Sequence, residues 1–113
     1  MDSYNELYEE QLISSLFCIN ERPGAFLGTA SLIKLLDFMA GYAFAVCQLT
    51  GYHLTFEQRF RQHLLEKHHI SEFPCSLGEF IAQGKSDREG FEAFFQELRG
   101  FCAANSLPQH SDS

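Results

Sequence analysis

Histidines and cysteines are the residues of this chain whose types could carry bond-making or metal chemistry. His53, His63, His68 and His69 form its only ligand-like cluster. A zinc site on a helix needs two ligands one turn apart on one face. His63 and His68 are five residues apart, adjacent His68 and His69 diverge, and no acid stands where a general base would be needed. The spacing therefore predicts solvated histidines near a helix end, where the dipole's negative pole favours them, with no metal and no cofactor. Cys18, Cys47, Cys75 and Cys102 are spread along the chain without a Cys-x-x-Cys pair, and apolar residues flank them, as in Phe17-Cys18 and Phe101-Cys102. They read as reduced thiols of a core, and a core this large needs no disulfide framework. No serine sits in a glycine-flanked elbow and no cysteine adjoins a histidine, Cys75 and His69 being six apart. Nucleophilic catalysis is not expected.

Charge is the second resource. The net charge is −7, unevenly placed. Residues 1–21 hold five acids and no base, residues 71–113 seven acids against three bases, and residues 22–70 carry +2. Acidic ends repel nucleic acid and attract cationic partners. The acids that could meet such a partner are Asp2, Glu6, Glu9 and Glu10 at one end and Glu89, Glu92 and Glu97 near the other. Arg59, Arg61 and Lys67 make a local basic patch, but Glu57 and Glu66 lie among them and only Phe56 and Phe60 interleave. Pairing with the acidic ends is the expected use, not direct nucleic-acid binding.

These side chains must be positioned by helices. Ser3/Glu6, Thr55/Gln58, Ser76/Glu79 and Ser86/Glu89 each match a capping box, in which hydroxyl and longer side chain satisfy each other's orphan backbone N–H groups. Each opens an apolar pattern of helical period. The spacing predicts a first helix over about 4–19, and a second from near Ser31 to a glycine stop at Gly51. A weaker third follows at about 56–69, then a short one over 77–82 and an amphipathic last one over 87–104 with Phe91, Phe94, Phe95, Leu98, Phe101 and Cys102 on one stripe. The second helix is apolar over more than half its circumference, with a narrow polar strip of Lys34, Asp37, Gly41 and Gln48. Such a helix is expected at the centre, wrapped by the others.

No alternating pattern bounded by hairpin turns appears, so the expected class is all-α: a single compact domain of about five helices over residues 1–107, followed by a disordered tail, 108–113. The chain has 113 residues, 45% of them apolar, with twelve phenylalanines. That supplies a core able to fold without staples. The N-terminus is acidic where a signal peptide would be basic. The uncharged run from Phe38 to Phe56 approaches membrane-spanning length, but Gly41, Gln48, Thr50, Gly51 and His53 interrupt it. A soluble, cytoplasmic protein is expected, with no membrane contact.

One segment carries a resemblance. Ile19, Arg22-Pro23-Gly24, Phe26, Leu27-Gly28, Ser31-Leu32 and Phe38-x-x-Gly41-Tyr42 look like a group of small helical bacterial proteins. These are encoded beside polymorphic toxins, including contact-dependent growth inhibition systems, and act as immunity proteins. The match covers residues 19–45 and departs at Ala25, where a larger residue is usual; within it, Phe26 and Leu27 are expected to plug into the core. The resemblance implies a monomer or weak homodimer that binds a cognate toxin domain and has no catalysis of its own. Immunity families vary at the toxin-binding surface, so the acids named above rest on charge alone, as does a nuclease as the target. Arg22 to Gly28 also resembles a stretch of gyrase-type ATPase domains, but the Asp-x-Gly-x-Gly element and glycine-rich lid of that fold are missing. The rival reading is a helical adaptor that self-associates through exposed Tyr and Phe residues.

Overall fold

Short polar side chains and left-handed glycines set the frame. A computed structural model describes residues 5–72 and 75–107. Among them are six helices and no strand: α1 (Glu6–Glu21), α2 (Pro23–Leu27), α3 (Leu32–Thr50), α4 (Phe56–Lys67), α5 (Leu77–Ala82) and α6 (Asp87–Ala104). The fold is all-α, as the patterning predicts. The expected tail, 108–113, lies outside the described residues, as do Asp2 and Ser3.

Capping explains most boundaries. Ser86 forms the complete box with Glu89, and Ser76 accepts from the Glu79 N–H at 3.2 Å. Of the other two predicted boxes, the Ser3 of one lies outside the described residues; α1 is capped by Asn5, its side chain accepting from the Tyr8 N–H at 3.3 Å. Thr55 precedes α4 but makes no side-chain cap: its backbone is in the αR region (φ −104°, ψ −2°) and not extended as at a cap, and its hydroxyl donates to Glu9 at 3.1 Å. Gly28 (φ 86°) and Gly51 (φ 77°) end α2 and α3 in the left-handed conformation, returning their N–H groups to the Gly24 and Cys47 carbonyls. Only a residue without Cβ adopts it cheaply.

The sixth element, α2, was not expected. Pro23 stands at its first position, where a missing N–H costs nothing, and residues 22–31 form a joint between α1 and α3. Leu27 packs against the core, but Phe26 is 59% exposed and does not plug into it.

The core is centred on α6, which buries Phe91, Phe94, Phe95, Leu98, Phe101 and Cys102. It meets Leu12, Leu16 and Phe17 of α1, Phe56, Phe60 and Leu64 of α4, and Leu77 and Ile81 of α5. Phe60 stands edge-on to Phe101 at 5.7 Å and packs on Phe94 at 5.3 Å, while Phe17 packs on Phe95 at 5.8 Å. These separations suit aromatic pairs. α3 crosses α6 closely: a Cβ at Gly90 would lie 2.9 Å from Leu32 Cδ2. Asp87 then ties the two helix starts together, one oxygen accepting from the Ser31 hydroxyl and the other from the Ile33 N–H at 3.0 Å.

The expectation that α3 is enclosed on all sides is not met. Only Leu32, Leu35 and Met39 of its 19 residues are buried. Leu49 is 85% exposed and Phe44 67%. The physical reason is one of supply: α6, α4 and α1 fill the core with aromatic and aliphatic bulk, and α5 is too short to cover the outer side of α3. By length and composition α3 could cross a membrane, yet its first half is part of this packed assembly.

Candidate functional site

Carboxylates are the functional side chains that the sequence nominates, and the fold sorts them into three kinds. The first kind is buried. Glu9 is 1% exposed. Gly51 ends α3 and turns the chain back over the start of α1; the Thr50 hydroxyl donates to the Val46 carbonyl at 2.6 Å and accepts from the Tyr52 N–H at 3.1 Å. Tyr52 then lies on Tyr8, with ring centroids 5.4 Å apart. Its hydroxyl donates to Glu9 Oε2 at 2.6 Å and accepts from the Asn5 N–H at 3.0 Å. Thr55 adds its N–H at 2.9 Å and its hydroxyl at 3.1 Å to the same oxygen. Three donors offset the cost of burying the carboxylate, while Oε1 is buried without a hydrogen-bond partner. Glu9 is therefore a clasp between α1 and the α3–α4 loop, and the expectation that it meets a partner at the surface is corrected.

The second kind is paired within the molecule. Glu97 accepts from Lys67 Nζ at 2.7 Å and His68 Nε2 at 3.0 Å. Burial pushes its carboxyl up, but the Lys67 and His68 bonds outweigh that and hold it below the usual range. The basic patch thus does pair with an acidic end, through Lys67. Arg61 pairs with Glu57 at 3.4 Å along its own helix, and the Arg59 guanidinium lies 5.6 Å from the Phe101 ring centroid.

The third kind remains at the surface. Glu6 is exposed and Glu10 half-buried on α1; Glu89 and Glu92 are exposed on α6. Glu89 spends one oxygen on the Ser86 N–H at 2.8 Å, which lowers its carboxyl from the ordinary value. Glu92 stands 3.8 Å from Arg88, an exposed pair of small energetic weight.

The histidines do not converge. No group of three or more metal-ligating side chains exists among the described residues. His68 holds Glu97 and stands edge-on to Phe80 at 5.5 Å. His63 is half-buried, not solvated as expected: it packs edge-on to Phe101 at 5.6 Å with Nε2 buried and unpartnered. Of the four free cysteines only Cys102 lies in the core, where burial pushes its thiol up to about 11. Cys18, Cys47 and Cys75 are half-buried.

One pairing escaped the sequence reading. Cys47 Sγ lies 3.7 Å from His53 Nδ1, at the same six-residue separation as Cys75 and His69. The signal that could have found it is Gly51 between them, which reverses the chain. The thiol is half-buried in the last turn of α3, with His53 exposed beside it. No protein-family model matches this chain, and comparison with curated proteins and with solved structures finds no similar protein.

Proposed function

We propose that this chain is an immunity protein: it binds one cognate bacterial toxin domain in the cytoplasm and neutralises it without catalysis of its own. The observation that carries the reading is the set of exposed carboxylates, Glu6 on α1 and Glu89 and Glu92 on α6, on a chain of net charge −7. The resemblance of residues 19–45 to immunity proteins supports it. A nuclease needs a basic cleft to hold phosphates. Carboxylates presented on helices occupy that cleft where phosphates would sit, pairing with Lys or Arg through charge-assisted hydrogen bonds. Opposite charge also speeds encounter.

Co-expression with a neighbouring toxin domain tests the reading. Wild type should rescue growth, and the association rate should fall steeply with salt, because the steering field is screened over about 10 Å at 0.1 M ionic strength. Reversing Glu6 and Glu10 to Lys, or Glu89 and Glu92 to Lys, should abolish protection for whichever set faces the toxin while both variants stay folded. Protection by both variants together with a salt-independent rate would overturn it. The exposed apolar side chains of α3 favour a second reading, a self-associating adaptor, in which case no toxin rescue occurs at all.

A further inference from the structure

The turn that ends α3 holds a thiol and an imidazole together. Cys47 Sγ lies 3.7 Å from His53 Nδ1 and 4.0 Å from Nε2. A neutral imidazole keeps one ring nitrogen as an acceptor, so either tautomer presents one to the sulfur. The chain is fastened on both sides of the pair. The Gly51 N–H donates to the Cys47 carbonyl at 2.8 Å, the Thr50 hydroxyl donates to the Val46 carbonyl at 2.6 Å, and Tyr52, one residue before His53, is buried with its hydroxyl on Glu9. The carbonyls nearest the thiol are therefore already bonded, which lessens their repulsion of a developing sulfur anion. Gln48, Thr50, Gly51 and His53 are exposed around it, so a small molecule has a path to the sulfur.

We infer that Cys47 and His53 form a site of reversible thiol modification: the Cys47 sulfur exchanges with a low-molecular-weight disulfide while His53 takes its proton. A thiol attacks as the thiolate, and a base within hydrogen-bond reach of the nucleophile supplies that form at the moment of attack. The S–H proton passes to the His53 ring, and the sulfur electron pair forms a new S–S bond with one sulfur of the small disulfide. The old S–S bond breaks. Its second sulfur leaves with the bonding pair and takes a proton from the imidazolium, which returns the ring to its neutral form. Cys47 is thereby oxidised to a mixed disulfide, and the other half of the small disulfide is reduced to a thiol. Excess thiol reverses the exchange, so the adduct follows the redox state of the surroundings and is not a permanent bond.

The other cysteines supply the comparison. Cys102 is buried, and burial pushes its thiol up to about 11. Cys18 and Cys75 are half-buried, as Cys47 is, but among the described residues only Cys47 has a histidine at its sulfur. Exposure therefore does not single out Cys47; the imidazole does. The inference does not rest on toxin binding and is tested without a toxin.

The full chain, reduced and then freed of thiol, is incubated with oxidised glutathione, and intact mass with peptide mapping follows each cysteine over time. Cys47 should be modified first, dithiothreitol should restore the original mass, and Cys47→Ser should remove the fast phase while leaving the slower ones. His53→Ala separates a base from mere access, because the two predict opposite signs. A smaller side chain beside the sulfur opens the approach, so a thiol selected by access alone would react as fast or faster. Loss of the base should instead slow Cys47 by at least about tenfold, less than the roughly hundredfold of an enclosed catalytic base because water shares the proton transfer at an exposed ring. Cys18 and Cys75 should keep their rates. His53→Gln, which fills the same space without a base, should be slowed equally, and it gives the result should His53→Ala alter the far-UV circular dichroism. Cys18 or Cys75 reacting as fast as Cys47, or folded His53 variants whose Cys47 reacts as fast as in wild type, would overturn the inference.

Discussion

Glu9→Ala separates a clasp from a binding residue. The side chain is 1% exposed and its Oε2 accepts three hydrogen bonds, from the Tyr52 hydroxyl, the Thr55 N–H and the Thr55 hydroxyl. A hydrogen bond to a charged group contributes about 1.5–3 kcal/mol. Three bonds sharing one oxygen do not add in full, and Ala also removes a buried charge whose desolvation was a cost. About 3 kcal/mol of destabilisation is the net expectation. At about 2.1 cal/mol/K per residue, the unfolding entropy of 113 residues is about 0.24 kcal/mol/K, so the melting temperature should fall by about 12 °C. Glu9→Gln keeps an acceptor for the same donors and should lose only about 1 kcal/mol, the cost of a buried amide N–H near the unpartnered Oε1 position. Tyr52→Phe keeps the ring against Tyr8 but removes the shared hydroxyl, and its effect should be less than additive with Glu9→Ala by at least about 0.5 kcal/mol. Calorimetry and urea titration of wild type, the three single variants and the Glu9→Ala/Tyr52→Phe double variant supply the numbers. A Glu9→Ala variant within about 0.5 kcal/mol of wild type would refute the clasp and return Glu9 to the surface acids.

Leu35→Ala and Phe94→Ala, both wholly buried, should each cost about 2–5 kcal/mol as cavity mutants, whereas exposed Glu92→Ala should cost less than about 0.5 kcal/mol by urea melt. Asp87 is held below its ordinary carboxyl range first by the Ser31 hydroxyl and then by the Ile33 N–H, and Glu97 is lowered too. Their stabilisation is complete above the unfolded values of 3.8 and 4.5 and is lost as pH falls through the lower folded values; urea midpoints should drop along that limb, less steeply in Asp87→Asn. Micromolar zinc should move the melting temperature by less than about 1 °C, since the described residues form no convergent ligand set; a saturable rise that vanishes in His63→Ala would contradict this.

What was legible in the sequence is what local physics decides. The starts at Ser76 and Ser86, the stop at Gly51 and the buried stripe of α6 follow from capping and from a 3.6-residue period, and each appears where the residues put it. Thr55 shows where local rules yield. Its side chain fits a cap, but its backbone is αR and not extended, and both its N–H and its hydroxyl donate to a buried carboxylate 46 residues away. Nothing within a helical turn of Thr55 announces that carboxylate.

The same distinction governs the site. An acid in the first turn of an amphipathic helix reads as a surface charge, and Glu6 is one. Glu9 differs only in facing the turn that Gly51 directs back over α1, and the direction of that turn is a property of three elements together. α3 carries the point further. Apolar content states what a helix can bury, while burial depends on how much surface its neighbours have left to offer. Here α6 with its phenylalanines saturates the core, and α3 is left with exposed apolar side chains, Ile33, Phe44 and Leu49, that the packing of the other described helices does not bury.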